Sequence, residues 1–183
     1  MDRSLVEEAQ RGDRDAYEQL ARGVSRQLFL VASRILRDGD AAEDAVQQTL
    51  VAIWQGLPSL REPDRFNAWA YRLVVRACRN AGRRERRSGI RIVDISPDMA
   101  TATDDIGTVA VHDQLERAFA ALGPGHRTVV VLHHMAGLSL AEIAQILDIP
   151  YGTVGSRLHS AMRSMRAAIE AGDRASQVGG QVA

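Results

Sequence analysis

Apolar residues recur at helical spacing along most of the chain, and the last third shows it most clearly. Leu140, Ile143, Ala144 and Leu147 fall on one helical face. Ser139-Leu140-Ala141-Glu142 has the form of a capping box, in which the hydroxyl accepts from the third amide and Glu142 reaches back. Asp148-Ile149-Pro150-Tyr151-Gly152 interrupts the pattern, since Pro cannot extend a helix and Gly permits a sharp re-entry. A second helix then places Val154, Leu158, Ala161, Met165 and Ile169 inward, with Ser156, His159, Ser160 and Arg163 on the opposite stripe and Arg157 on its flank. A short helix, a tight turn and a longer helix with polar tips outward are what reading a DNA major groove requires. An ordinary helical hairpin would carry the same pattern.

The front of the chain is also periodic. Asp2–Arg11 reads as a short helix closed at Gly12. From Asp13, a suitable N-cap, a longer helix carries Ala16, Tyr17, Leu20, Val24, Leu28, Val31, Ala32, Ile35 and Leu36 on a broad inner face. Asp38-Gly39-Asp40 breaks it. Ala41–Gln55 then buries Ala42, Val46, Leu50 and Ile53 and exposes Glu43, Asp44, Gln47 and Gln48. That acidic, amide-rich edge fits either a solvated face or a docking surface for a basic partner. After a loop through Glu62-Pro63-Asp64, a helix over Arg65–Arg84 turns Phe66, Trp69, Ala70, Leu73, Val74, Ala77 and Ala81 to a core. Arg65, Arg72, Arg76, Arg79, Asn80 and Arg83 form a second stripe on it over about five turns. Arginines that track phosphates beside Phe66, Trp69 and Tyr71 suit single-stranded DNA; Phe66 and Trp69 fit a core equally well.

Ser88 to Val111 has no sustained period and reads as an acidic, flexible linker, with Ile90, Ile92, Val93 and Ile95 as a brief strand lacking a partner. His112–Leu122 is a helix ended by Gly123-Pro124-Gly125. The run Arg127–Leu132 is β-branched and favours a strand, yet its neighbours are helices, so a helix from His126 to Met135, closed at Gly137, is assigned. His133 and His134 lack the spacing of a metal pair, because helical neighbours point about 100° apart. Residues 172–183 are small and polar and are expected to fray.

Composition narrows the class. Aromatics are scarce and Ala, Leu, Glu and Arg abound, which points to an all-α protein of one or two small domains. The first residues are polar, and no apolar run approaches membrane-spanning length, so a soluble, cytoplasmic protein without membrane insertion is expected. Cys78 is the single cysteine and reads as a small core residue, or as a redox site with no supporting partner. No cofactor or metal cluster is indicated, and no nucleophile–base set or phosphate-cradling glycine loop suggests an enzyme.

Charge then changes the picture. The net charge is zero, but residues 1–60 carry 7 Arg and 10 acids, 61–87 carry 9 Arg and 3 acids, and 88–125 carry 2 Arg and 6 acids. A neutral total conceals an acidic front, a basic middle and an acidic connector. There is no Lys, so every long cationic side chain is an arginine, whose guanidinium fork suits phosphate and guanine edges.

Together these stretches resemble the extracytoplasmic-function sigma factors of bacterial RNA polymerase, over nearly all of Leu5–Ile169. The motifs are LSLAEIAQILDIPYGTVGSRLHSAMRSMR (Leu138–Arg166), DAAEDAVQQTLVAIWQ (Asp40–Gln55) and FNAWAYRLVVRACRNAGRR (Phe66–Arg84). The resemblance implies two small helical domains joined by a flexible acidic linker: 1–87 for core binding and the melted −10 element, 88–111 as linker, and 112–171 with the helix-turn-helix for the duplex −35 element. It places the β′ clamp helices of the polymerase core on Asp44, Gln47 and Gln48, and the β flap on the second domain. It places −10 DNA on the loop Leu57–Asp64, which would capture a flipped base, and on Asn67, Trp69, Arg72, Arg76, Arg79, Asn80 and Arg83. The −35 DNA falls on Thr153, Ser156, Arg157, His159, Ser160 and Arg163. Gly155 stands where the family usually has Lys or Arg, and Ser160 where it often has Arg. A separate anti-sigma protein is expected to provide control. The rival readings are a stand-alone helix-turn-helix regulator of duplex operators, and an interaction protein that sequesters a partner through its acidic front helices.

Overall fold

The computed structural model describes residues 2–88 and 106–179, and its regular elements there are all helical. Helices α1 (Arg3–Gln10), α2 (Arg14–Leu36), α3 (Gly39–Gly56) and α4 (Phe66–Ser88), with 3-10 turns at Leu57–Ser59 and Pro63–Arg65, build the first unit. Helices α5 (Ile106–Ala120), α6 (Pro124–Val130), α7 (Leu140–Leu147) and α8 (Tyr151–Gly179) build the second, with α6 running into a π turn over Val131–Met135. The body of the expected linker, including Ile90, Ile92, Val93 and Ile95, lies outside the described residues.

Side-chain caps start the helices. The Asp2 carboxylate accepts from the Ser4 amide, Asp13 from Asp15 and Ala16, and Asp38 from Ala41, all at 2.8–3.0 Å. Each satisfies an amide that has no partner within the helix. Because Asp38 caps, Gly39 and Asp40 are the first turn of α3 rather than a break before it. Arg37 takes up the left-handed conformation that ends α2, at φ 60°. The expected capping box is present: Ser139 Oγ accepts from the Glu142 amide at 3.3 Å, and Glu142 Oε2 accepts from the Ser139 amide at 2.8 Å.

The first core is formed where α2, α3 and α4 meet, around Leu20, Leu28, Val31, Ile53, Phe66 and Val74. The inner face of α4 differs from the sequence expectation. Tyr71, Val75 and Cys78 are buried with Phe66, Ala70, Val74 and Ala77, whereas Trp69, Leu73 and Ala81 are only half-buried. The helix is enclosed by α2 as well as α3, so its apolar sector is rotated towards Tyr71 and Cys78.

In the second unit the β-branched run is helical, as assigned, although the helix begins at Pro124 rather than after it. Pro at the first helical position loses no hydrogen bond. Thr128, Val129, Val130, Val131 and Leu132 are all buried, because α2, α7 and α8 surround this segment. Burial all round outweighs a helix-propensity deficit of tenths of a kcal/mol per residue. Helix α8 also runs past Ala171, where fraying was expected, to Gly179. Gly172 is a close-approach site rather than a terminator: a Cβ there would lie 2.7 Å from Gln114 Nε2, which donates to the Ile169 carbonyl.

The two units also touch. Arg34 pairs with Glu116, Arg37 donates to the Ala120 carbonyl at 3.1 Å, and Arg127 donates to the Ile35 carbonyl at 3.2 Å. Helix α7 lies against α4.

Phe66 is 1% exposed. Phe66→Ala is expected to lower unfolding stability by about 3–5 kcal/mol, read as a lower urea midpoint. A stability unchanged by the truncation would remove Phe66 from the core.

Candidate nucleic-acid interface

Helix α4 presents the arginine stripe as expected except for Arg65, which lies in the 3-10 turn before the helix and pairs with Glu62 at 2.8 Å. Asn67, Arg72, Arg76, Arg79, Asn80 and Arg83 are all exposed, opposite the buried Phe66, Val74 and Cys78. Arg83 donates to the Asn80 side-chain oxygen at 3.2 Å, which ties two stripe members together. The aromatic cluster divides. Phe66 and Tyr71 are core residues, while Trp69 is half-buried with its ring 6.1 Å from that of Phe66. Gly56 makes room for Trp69: a Cβ at Gly56 would lie 2.9 Å from the indole Cζ2. The question left open between core and base contact is therefore answered for Phe66 in favour of the core.

The loop Leu57–Asp64 lies beside this stripe, with one correction. Leu57 is 1% exposed and belongs to the core, so it is not available to a base. The loop is held in place by Gln10, whose side-chain amide donates to the Leu57 and Leu60 carbonyls at 3.1 and 2.6 Å. Leu60, Arg61, Arg65, Trp69 and Arg72 line a cavity of about 230 Å³. Gln145 and Ile146 of α7 close its far side.

In the second unit, α7, the Asp148 turn at φ 54° and α8 form the helix-turn-helix. Val154, Ala161 and Met165 are buried beneath it. Ser156, His159 and Arg163 are exposed, while Thr153, Arg157 and Ser160 are half-buried. Ser156 Oγ donates to the Thr153 carbonyl at 3.1 Å. Arg157, on the flank of the outward stripe, lies along Gly125, where a Cβ would be 3.7 Å from its Nη1. Arg79 meets the same cleft: both of its Nη atoms donate to the Leu147 carbonyl at 3.3 Å. Residues assigned to two separate promoter elements are thus brought together.

On α3, Glu43, Asp44, Gln47 and Gln48 are exposed as expected. The pattern of polar positions missed the apolar end of this edge. Val51 and Trp54 are 56% and 42% exposed, and they follow Asp44, Gln47 and Gln48 at helical spacing. Trp54 is held edge-on against Tyr17, with ring centroids 4.7 Å apart. Tyr17 is fixed in turn by a 2.7 Å hydrogen bond to the Leu50 carbonyl. An exposed, rigid tryptophan on an otherwise polar edge was the available sign of a contact surface.

Comparison with known proteins agrees with this geometry. Residues 20–88 match the family model for Sigma-70 region 2, and residues 112–165 match that for Sigma-70 region 4. The ECF RNA polymerase sigma factor SigM of Mycobacterium tuberculosis is 32% identical, over 80% of this chain and 73% of the relative. RNA polymerase sigma-H factor of Pseudomonas aeruginosa is 27% identical, over 92% of this chain and 94% of the relative. Among solved structures, CnrH in complex with the cytosolic domain of CnrY superposes with a TM-score of 0.66 at 27% identity, covering 93% of this chain and 97% of that one. The sigma factor RpoE of Bartonella quintana, solved with the anti-sigma factor NepR, shares the fold at a TM-score of 0.69 and 24% identity, covering 84% and 96%. Two helical DNA-binding modules in this order define a class of transcription initiation factor. The chain belongs to the extracytoplasmic-function sigma factors of RNA polymerase.

Cys78, on the inner face of α4, is 2% exposed, and burial pushes its thiol up to about 12. A folded value above the ordinary 9.0 means the thiol contributes stability that is present below pH 9 and lost as pH rises towards 12. It also means almost no thiolate at neutral pH. The native chain at pH 8 is expected to react with an aromatic disulfide reagent at least about 100-fold more slowly than the urea-unfolded chain. Equal rates would restore a redox role.

Proposed function

We propose that this sigma factor docks on polymerase core through the α3 edge, reads the separated −10 strand with α4, and holds the duplex −35 element with α8. The observation that carries the reading is the pairing of an exposed arginine stripe with a helix-turn-helix in one chain. Arg72, Arg76, Arg79 and Arg83 recur along one exposed face of α4 with Asn67, Trp69 and Asn80. That arrangement suits a phosphate backbone with its bases unstacked beside it. The cavity beside Trp69 and the loop 58–64 offers an extruded base a half-enclosed place. Asp44, Gln47 and Gln48, extended by Val51 and Trp54, supply the core-binding edge, with the β′ clamp helices as its partner. Thr153, Ser156, Arg157, His159, Ser160 and Arg163 supply the −35 contacts, and the second unit supplies the β flap contact.

In this reading the polymerase core performs the chemistry, and the chain contributes binding energy only. It works in the cytoplasm; no described helix is long and apolar enough to cross a membrane. A separate anti-sigma protein is its regulator, a proposal prompted by the sigma factor RpoE, of the same fold, having been solved with the anti-sigma factor NepR. A Cβ at Gly155 would meet nothing within 4 Å, so the missing cation there reflects no steric demand. The −35 contact consequently relies on fewer charges than the family pattern supplies.

A gel shift with promoter DNA, with and without core, tests the whole reading. Binding that requires core supports it, and tight binding to a palindromic duplex without core would support a stand-alone regulator. Arg76→Ala is expected to reduce open-complex formation about tenfold, through the loss of one charge-assisted phosphate contact, while changing duplex retention far less. Equal losses in both assays would remove Arg76 from the strand-reading face. Asp44→Arg and Trp54→Ala should each weaken association with core at least about tenfold without altering the helical circular dichroism spectrum. An unchanged core affinity in both would reject the α3 edge.

A further inference from the structure

We propose that the cleft between the two units is a binding site for a diphosphate-bearing anion, whose occupancy holds Arg79 and Arg157 away from DNA. The second half of this statement rests on the DNA roles given above to those two residues; the first half does not.

The cleft has a volume of about 620 Å³ and takes its walls from α2 and α4 on one side and α6, α7 and α8 on the other. Arg79, Arg83, Arg127 and Arg157 all line it, and its lining contains no acidic residue. Arg157 makes no hydrogen bond or ion pair with any described side chain. Arg79 finds only a neutral carbonyl, that of Leu147. Burial, followed by the charges of Arg157 and Arg83, lowers Arg79 below an ordinary guanidinium, with Asp148 opposing the effect. Guanidinium groups drawn from both units into a half-enclosed space repel one another unless an anion lies between them.

The shape of the site selects the anion. A guanidinium fork pairs bidentately with phosphate oxygens. Arg79 on α4 and Arg157 on α8 approach from opposite walls, with Arg83 one turn along α4, so a two-centre anion can engage both walls where a single phosphate would satisfy one. Ile35, Leu36 and Leu147 add an apolar side to the cleft, against which the remainder of a nucleotide could rest. The shared chemistry is a diphosphate, either free or as a nucleotide tail. Because the two units each supply walls, a ligand bound there favours the closed arrangement over any in which they separate.

The test is calorimetric titration of the full chain with inorganic pyrophosphate, ADP and sulfate at matched ionic strength. The expected result is saturable, one-to-one binding of pyrophosphate with sulfate much weaker; ADP binding as tightly or more tightly would assign the site to a nucleotide tail. Arg79→Gln and Arg157→Gln should each weaken binding about tenfold or more. Arg26→Gln, an equal loss of charge on the exposed side of α2, should leave it unchanged. Small-angle scattering should show the chain no larger with pyrophosphate than without it, and more compact if the free chain opens. No saturable binding by the unaltered chain, or binding equal to that of sulfate, overturns the proposal whether or not the variants fold. So does an affinity unchanged in Arg157→Gln. If pyrophosphate binds through these arginines yet leaves promoter binding and open-complex formation with polymerase core undiminished, the cleft stands and its occlusion of Arg79 and Arg157 from DNA falls.

Discussion

The rotation of α4 about its own axis governs everything the first unit can do. Phe66, Val74, Val75 and Cys78 are each at most 2% exposed, and each buried apolar side chain of this size contributes about 1.5–3 kcal/mol. Like charges one turn apart, such as Arg72 and Arg76 or Arg79 and Arg83, oppose the helix by only about 0.2–0.5 kcal/mol a pair. The core therefore decides which way the helix faces, and the arginines accept the exposed side that remains. A DNA-reading surface made in this way needs no packing of its own. Its geometry is inherited from the far side of the same helix, and a cavity made beneath it would displace the stripe without touching any of the arginines proposed to face DNA.

That dependence explains what could be read from the chain and what could not. Asp13 and Ser139 were legible because a cap is a local matter of one side chain and the next few amides, whereas Asp38, in a run with Gly39 and Asp40, read as part of a break. The arginine stripe was legible because its period is that of the helix. The exact sector buried was not: Trp69 and Tyr71 are two residues apart, and only the position of α2 decides that Tyr71 goes inward. Val51 and Trp54 escaped notice for the opposite reason, since apolar residues on a helix are read as core until the neighbouring helices are seen to leave them uncovered. Gly172 reads locally as a stop, and only its contact with Gln114, far away in sequence, shows it to be a point of close approach. The run from Thr128 to Leu132 shows tertiary enclosure overriding propensity.

The charge pattern is informative in a similar way. A net charge of zero describes a chain whose arginines are concentrated on one helix and one cleft, while acids occupy the α3 edge. Opposite signs on separate surfaces allow one small protein to meet a basic partner and an acidic polymer without either surface neutralising the other. Arg3 with Glu7 and Arg22 with Glu18 form exposed pairs within single helices, which add little to stability. None of those four residues belongs to a proposed binding surface, whereas Glu62 of the loop pairs with Arg65 at 2.8 Å, at the foot of the stripe.

Three of the arginine contacts that join the two units share one chemical character. Arg79 donates to the carbonyl of Leu147, the last residue of α7; Arg37 donates to that of Ala120, the last of α5; Arg127 donates to that of Ile35, near the end of α2. The carboxyl end of a helix carries partial negative charge and unsatisfied carbonyl oxygens. These ends act as weak substitutes for phosphate. A hydrogen bond to a neutral carbonyl contributes about 0.5–1.5 kcal/mol, against about 1.5–3 for one to a charged group. An arginine resting on a carbonyl can therefore be drawn away by a phosphate oxygen, and the closed form is held by bonds that the proposed ligands exceed. Arg34 with Glu116 joins full opposite charges across the boundary, and it involves neither stripe nor recognition helix. The units are thus fastened by an ion pair outside the proposed DNA-contacting surfaces, while Arg79, which belongs to one of them, rests on a neutral carbonyl.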